Sequence, residues 1–436
     1  MTDCRLVQRR AATTCGAIAL IGALLVGCAG DTTKPNRIQR MVLEPARDAE
    51  ARGDDVAALR YYESAAEDGL VQAQYRVAQF YLEGRGTAKN PAAAAEWYQE
   101  ASDAGYARAH RPLARLYEQG LGVPKNHETA FELYLKAAKS GDATSQQKVG
   151  EFLKAGRGTQ QDSAAAANYY RQAAEAGRAS AQLALGDLYR DGEGVEADQE
   201  TADLWYGRAA EQLAAQARAG NAASMERLAG LYQKGIGLPQ DVERAVLLYE
   251  AAAQRGRVGA QVKLAKLLDK GAEGYPPDPA RAAELYQMAA DQGHVGAGYT
   301  LAHMYGSGRG VEQDGEKAVA LYQKSARRGD TRAYARLGDL FAKGEAVPQD
   351  YGLAVKWYRE AADHGDPKGM FRLGEAYERG RGVPTDLVQS LMWYSISDRS
   401  GYAPAAKRVE RVATKLDPAE NNRAAELAQA WEQDQG

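Results

Sequence analysis

Ala181-Gln-Leu-Ala-Leu-Gly186-Asp-Leu-Tyr189-Arg-Asp-Gly-Glu-Gly-Val195 and, further on, Asp350-Tyr-Gly-Leu-Ala354-Val-Lys-Trp357-Tyr358-Arg-Glu-Ala-Ala-Asp-His-Gly365 decide how this chain folds. Each is one half of a unit written again and again along the sequence. Aligning on the tyrosine of A-x-x-Φ-Y-x-x-A-A-type segments gives Tyr62, Tyr98, Tyr134, Tyr170, Tyr206, Tyr249, Tyr286, Tyr322, Tyr358 and Tyr394, at spacings of 36, 36, 36, 36, 43, 37, 36, 36 and 36. A fixed period of this size marks a solenoid, in which no unit buries its apolar face alone and stacked neighbours share a core.

The half that carries the tyrosine reads as a helix, B. Eight residues before each tyrosine stands an oxygen-bearing side chain: Asp54, Asn90, Asn126, Asp162, Asp198, Asp241, Asp278, Asp314, Asp350 and Asp386. Such a residue accepts from the free N–H groups of a starting helix, so these positions are expected N-caps. Pro91 and Pro279 follow two of them, where a missing N–H costs nothing. Seven residues after most of the tyrosines a glycine closes the helix, as at Gly69, Gly105, Gly177 and Gly365.

Between that glycine and the next cap lies the expected helix A. Counting from the glycine, it carries a small residue at four, an aliphatic at eight, a small residue at nine and a large apolar residue at twelve. In one unit these are Ala181, Leu185, Gly186 and Tyr189, and in another Ser224, Leu228, Ala229 and Tyr232. Their spacing places them on one helical face. The small residues let helix B approach, and leucine and tyrosine are expected to fill the remaining space. Paired glycines such as Gly84 and Gly86, Gly120 and Gly122, and Gly380 and Gly382 supply the left-handed positions of a tight reversal.

Two irregularities interrupt the register. After Tyr206 the closing glycine arrives late, at Gly220, so Glu211 to Ala219 lengthen one B helix by about two turns and predict a protruding end. Between Gly271 and Pro279 the loop is one residue longer and rich in proline. Pro112 falls inside an A helix and predicts a local kink. Residues 36–52 read as an atypical starting helix, with 404–416 and 418–431 as closing helices, the last capped by Asp417.

The amino terminus reads as an address. Arg5, Arg9 and Arg10 precede a short apolar stretch from Ala11 to Gly27, the layout of a secretory signal. The stretch ends in Leu25-Val26-Gly27-Cys28, which resembles the bacterial lipoprotein box. The resemblance implies cleavage before Cys28, a lipid on its sulfur and, with Ala29 rather than aspartate next, delivery to the periplasmic face of the outer membrane. Cys4 and Cys15 leave with the signal, so no disulfide within the mature chain is expected.

Composition narrows the functional classes. The 436 residues are 26% charged with a formal net charge of −3, which argues against a nucleic-acid binder. No apolar run reaches the length of a spanning helix. The histidines His110, His127, His294, His303 and His364 lie in different repeats without metal-ligand spacing and read as surface residues. No catalytic, cofactor or metal site is read. Ser145-Gln-Gln-Lys148 matches S-x-x-K, but Ser145 occupies a small-residue slot and neither S-D-N nor K-T-G occurs. A row of bases stands seven positions after the B-helix glycines, on the outward side of helix A: Arg76, Lys148, Arg227, Lys263, Arg336 and Arg372. It is the candidate partner-binding surface, and it invites an acidic partner or an anionic polymer. Local pairing of Lys148 with Glu151, Arg336 with Asp339 and Arg372 with Glu375 is the competing reading.

Over about residues 54–401 these motifs are similar to those of Sel1-like repeat proteins, relatives of the tetratricopeptide repeats. The resemblance implies an all-α fold, an α-solenoid wound as a right-handed superhelix of antiparallel helix pairs. The expected divisions are a signal peptide at 1–27, a lipidated tether at 28–36, N-terminal capping helices at 37–69, about nine repeats at 70–401 and C-terminal capping helices at 402–436. The combination of lipoprotein box and repeats also resembles the alginate-export scaffold lipoproteins. That resemblance implies a non-catalytic scaffold for proteins of an exopolysaccharide secretion complex, an outer-membrane porin among them. A periplasmic cell-wall or β-lactam-interacting enzyme, and a direct binder of anionic polysaccharide, are the alternatives.

Overall fold

A computed structural model describes residues 37–272, 274–344 and 346–435. The segments expected to be a signal peptide and a tether, with Cys28 between them, lie outside the described residues. Among the described residues the only pairing of strand type is an isolated antiparallel bridge between Ala272 and Tyr275. The chain divides into two compact units, up to Trp205 and from Tyr206.

The first unit opens with α1 (Arg37–Ala51), α2 (Asp55–Glu67), α3 (Val71–Glu83), α4 (Pro91–Asp103) and α5 (Ala107–Gln119). It continues through α6 (His127–Lys139), α7 (Ala143–Ala155), α8 (Ser163–Glu175) and α9 (Ala179–Asp191). The division falls within α10 (Gln199–Arg218). The second unit continues with α11 (Ala222–Lys234), α12 (Val242–Gln254), α13 (Val258–Lys270), α14 (Pro279–Asp291), α15 (Val295–Ser307) and α16 (Gly315–Arg327). Then come α17 (Arg332–Lys343), α18 (Tyr351–Asp363), α19 (Pro367–Arg379), α20 (Leu387–Arg399), α21 (Ala406–Ala413) and α22 (Pro418–Gln435). From α3 to α20 the odd helices are A and the even ones B. Within each unit these helices pack on their successors in chain order, the arrangement of an all-α solenoid.

Every expected N-cap accepts from the backbone N–H three residues on, from Asp54 to Ala57 through Asp386 to Gln389. Each such cap contributes about 1 kcal/mol. Because the caps recur in phase with the tyrosines, they also fix the register at which each B helix meets its A partner.

Small residues at position four of helix A are buried, as at Ala73, Ala109, Ser145, Ala181 and Ala260, and the aliphatics at eight, such as Val77, Leu113 and Leu185, are buried beside them. The expectation for position twelve is corrected. Tyr81, Tyr117, Tyr189 and Tyr232 are only half-buried, and position eleven fills the core instead, with Phe80, Leu116, Phe152 and Leu188 fully enclosed. Eleven is three residues beyond eight on the same helical face, whereas twelve lies at its margin. A tyrosine there keeps its hydroxyl at the surface, as Tyr81 does in donating to Glu63 at 2.7 Å.

The two extra turns of α10 are not a free projection. Leu213 and Ala217 are buried, and Gln216 accepts from the Ser224 hydroxyl at 2.6 Å, so the lengthened end lies along α11. In the long loop Ala272 and Tyr275 exchange backbone hydrogen bonds of 2.9 Å around Gly274. Helices α1 and α5 continue across Pro45 and Pro112. At the carboxyl end Asp417 accepts from the Glu420 N–H at 2.8 Å while Glu420 accepts from the Asp417 N–H at 2.9 Å, a capping box. The α22 that it starts covers α20, with Trp431 edge-on to Trp393 at 5.3 Å.

One turn departs from the glycine pattern and shows why the pattern exists. Ala346 has φ 69°, the one non-glycine residue in the left-handed region among the described residues. It stands where other repeats have the second turn glycine. Its carbonyl oxygen lies where a Cβ on residue 315 would be, and residue 315 is glycine. Ala346→Gly is expected to stabilise the second unit by about 0.5 kcal/mol, the left-handed strain relieved exceeding the entropy lost on ordering glycine. A thermal melt checks it, and a lowered midpoint would count against this reading of the turn.

Candidate functional site

The aligned tyrosines lead to the chemistry that recurs in this chain. In several repeats the hydroxyl of the B-helix tyrosine donates to a carboxylate on the A helix before it, and that carboxylate also takes a cation from the next A helix. Glu118 on α5 accepts from Tyr134 on α6 at 2.7 Å and from Lys148 on α7 at 3.1 Å. Asp339 on α17 accepts from Tyr358 on α18 at 3.1 Å, and from Lys368 and Arg372 on α19 at 2.6 and 2.9 Å. Glu50 joins Tyr62, Arg76 and Arg85 in the same way, and Glu378 joins Tyr394 and Arg411. At Glu118 and Asp339 three helices are therefore tied at one carboxylate, which is half-buried at Glu118 and buried at Asp339.

Burial gives these ties their electrostatics. It pushes the Tyr134 hydroxyl well above its ordinary range, with the Glu118 carboxylate adding to the effect. At Asp339 burial alone would raise the carboxyl, but the Lys368 hydrogen bond and the charges of Arg372 and Lys368 outweigh it and hold the group below its usual value. Glu226 follows the same logic, with Lys263 and Arg257 overcoming burial.

This network locates the row of bases. Arg76 binds Glu50, Lys148 binds Glu118 and Glu151, and Lys263 binds Glu226 at 2.8 Å. Arg336 donates to the Tyr299 hydroxyl at 3.2 Å and lies 3.8 Å from Asp339, and Arg372 binds Asp339 and Glu375. Arg227 is exposed, with no carboxylate partner among the described residues. The pairs three apart in sequence are present, but each carboxylate on the preceding A helix, 26 to 37 residues back, is the partner that sequence reading missed. The tyrosine column held a partial signal, because an acidic residue stands 16 positions before two of those tyrosines, Glu118 before Tyr134 and Glu378 before Tyr394.

The histidines are corrected in part. His303 and His364 are exposed, but His110 is buried, with Nδ1 2.8 Å from the Ser102 hydroxyl, and burial followed by the Lys136 charge lowers its pKa. His294 caps α15 by accepting from Ala297 N–H at 3.0 Å. Ser145 is fully buried and Lys148 is committed to carboxylates, so this S-x-x-K pair presents no nucleophile to solvent. Among the described residues no group of three or more His, Cys, Asp or Glu side chains is placed to hold a metal, and no helix is long and apolar enough to cross a membrane.

Along the lengthened α10, Ala214 and Ala217 form an open apolar groove with Leu228, Tyr232 and Leu247 of α11 and α12. Leu247 is 59% exposed at its edge.

The Sel1 repeat family model matches residues 49–70, 71–106, 107–142, 143–177, 179–212, 222–256, 258–294, 298–330, 331–366 and 367–397. Among solved structures, a protective antigen of uropathogenic Escherichia coli with an SLR fold is 29% identical, covering 86% of this chain and 94% of its own, with a TM-score of 0.38. A Sel1 repeat protein of Oxalobacter formigenes is also 29% identical, covering 57% and 96%, with a TM-score of 0.45. An immunity protein of Pseudomonas aeruginosa is 23% identical over 51% of this chain and 81% of its own, at a TM-score of 0.34. No curated protein matches the sequence. With ten repeat matches running from residue 49 to residue 397, the chain belongs to the Sel1 repeat family.

Proposed function

We propose that this chain is a non-catalytic scaffold, held at the periplasmic face of the outer membrane by a lipid on Cys28, that gathers proteins of an exopolysaccharide export complex, including an outer-membrane porin. Sel1 repeats commonly mediate binding to other proteins, and the ten tandem repeats are the observation that carries the scaffold reading. The polar network supports it, since Glu118, Glu226 and Asp339 spend their charge joining repeats. The tether and the compartment rest on Leu25-Val26-Gly27-Cys28 and Ala29. Two acyl chains or more would anchor such a body stably. The export pathway rests on the likeness to alginate-export lipoproteins.

Growth with an alkyne-bearing palmitate is expected to label the wild-type chain and to leave Cys28→Ser unlabelled. Cross-linking in membranes is expected to recover partner proteins from the wild type that are lost from the variant. An unlabelled wild-type chain would overturn the tether, and turnover of peptidoglycan or a β-lactam by the purified chain would overturn the scaffold. Recovery of proteins none of which belongs to polysaccharide synthesis or export would overturn the pathway.

A further inference from the structure

Position eleven of helix A is a large apolar residue in every repeat before the last, from Phe80 and Leu116 to Met304 and Leu340, and in the last it is Ala376. The repeat of Phe152 shows what the missing side chain would do. Its ring lies 5.7 Å from Tyr134, 6.3 Å from Phe131 and 6.0 Å from His127, all on α6, and the Arg157 guanidinium sits over it at 5.3 Å. The same positions around Ala376 are Tyr358, Val355, Tyr351 and Arg381.

These four residues line a cavity of about 170 Å³ that opens to solvent, with Ala376 at its wall. A cavity of about 150 Å³ with apolar walls is enough to take a benzene ring. Without an aromatic residue of its own helix to cover, the Arg381 guanidinium rests over Tyr351 at 5.4 Å. Arg379 and Arg381 are exposed at the mouth. The acidic groups of the wall are already engaged, Asp339 by Lys368 and Arg372, and Glu375 by Arg372, Arg408 and, at 3.8 Å, Arg379. Cations outnumber carboxylates around the opening, so its net charge is positive.

We propose that this pocket between α17, α18 and α19 receives a phenylalanine side chain of a partner protein, presented on an acidic segment whose carboxylates meet Arg379 and Arg381. The ring would occupy the place that Phe152 fills in its own repeat, with Arg381 over it as Arg157 lies over Phe152. Residues 1–36 contain no aromatic side chain, so that terminal segment cannot supply the ring. The inference deepens the scaffold reading and rests on it.

The test uses the whole chain and two fluorescein-labelled pentapeptides, Asp-Glu-Phe-Asp-Glu and its counterpart with serine for phenylalanine, read by anisotropy at low and high salt. The phenylalanine peptide is expected to bind about tenfold or more tightly than the serine peptide. Ala376→Phe, which fills the pocket from within, is expected to abolish that preference, and Arg379→Glu with Arg381→Glu to weaken both affinity and salt dependence. Should Ala376→Phe lose helical circular dichroism, Ala376→Leu carries the test. Equal binding of the two peptides, no binding by the wild type, or an unchanged preference in the filled variant would overturn the proposal. Those results would leave partner recovery in membranes untouched, so the pocket and the scaffold fail separately.

Discussion

Gly122→Ala is expected to destabilise the first unit by about 3 kcal/mol, whereas Gly105→Ala, at another left-handed position, costs about 1. Both glycines have positive φ, 74° and 79°. A Cβ at Gly105 meets nothing within 4 Å, but one at Gly122 falls 2.3 Å from the Pro91 carbonyl carbon and the Ala92 nitrogen. Those atoms belong to the capped first turn of α4, held by the Asn90 oxygen on Ala93 N–H at 3.1 Å, so the backbone cannot recede without losing its cap. The pair of variants separates the cost of a left-handed alanine from that of the contact. Repeat arrays need not unfold all at once, so urea melts by circular dichroism should be joined to hydrogen exchange on α4 and α5. Exchange should quicken there in Gly122→Ala, and equal losses in the two variants would refute the contact argument.

Asp339→Asn is expected to cost about 2 to 3 kcal/mol at neutral pH and to flatten the acid dependence of stability. The amide can still accept from Tyr358 but leaves Lys368 and Arg372 without the charge that offsets their partial burial. Those cations are 26% and 31% exposed, and Arg372 retains Glu375, which keeps the loss at the lower end for a buried pair. The folded Asp339 carboxyl titrates below its unfolded value near 3.9, so its contribution is complete above that pH and fades as the pH falls through the folded value. Urea midpoints of wild type and variant should therefore differ most at pH 7 and converge toward pH 2. A constant gap from pH 7 to pH 2 would show that the carboxylate charge is not what joins these helices.

The period, the caps and the closing glycines were all legible because each depends on its near neighbours in sequence. The Asp162 oxygen reaches Ala165 N–H at 2.8 Å, a contact that spacing alone dictates. The lengthened α10 was legible for the same reason, but not the packing of Leu213 and Ala217, which depends on what lies beside the added turns. Recurrence of a letter also misled. Tyr189 and its equivalents recur with their rings at the edge of the core and a hydroxyl that meets a charged side chain of a neighbouring helix, as Tyr189 meets Arg171 and Tyr81 meets Glu63, while the deeper position eleven tolerates Phe, Leu or Met and so looks less distinctive. That tolerance is the background against which Ala376 becomes informative.

The charge row was legible as a row and not as a network. Lys148 and Glu151 are visible on one helix, but Glu118 comes from the preceding A helix 30 residues away, brought to Lys148 by the stacking of α5 and α7 around α6. His110 shows the same limit: its burial and its bond to Ser102 depend on α4 and α5 meeting at small residues.

A photoreactive phenylalanine analogue placed in turn at Leu247, Leu353 and Arg379, with irradiation in membranes, tests most directly whether these repeats exist to be held by other proteins. Leu247 and Leu353 are large apolar side chains left 59% and 40% exposed, and Arg379 stands at the mouth beside Ala376. Discrete protein adducts of reproducible mass are expected from at least one of these positions. Adducts to lipid or glycan alone, with no protein recovered from any of the three, would contradict the scaffold reading.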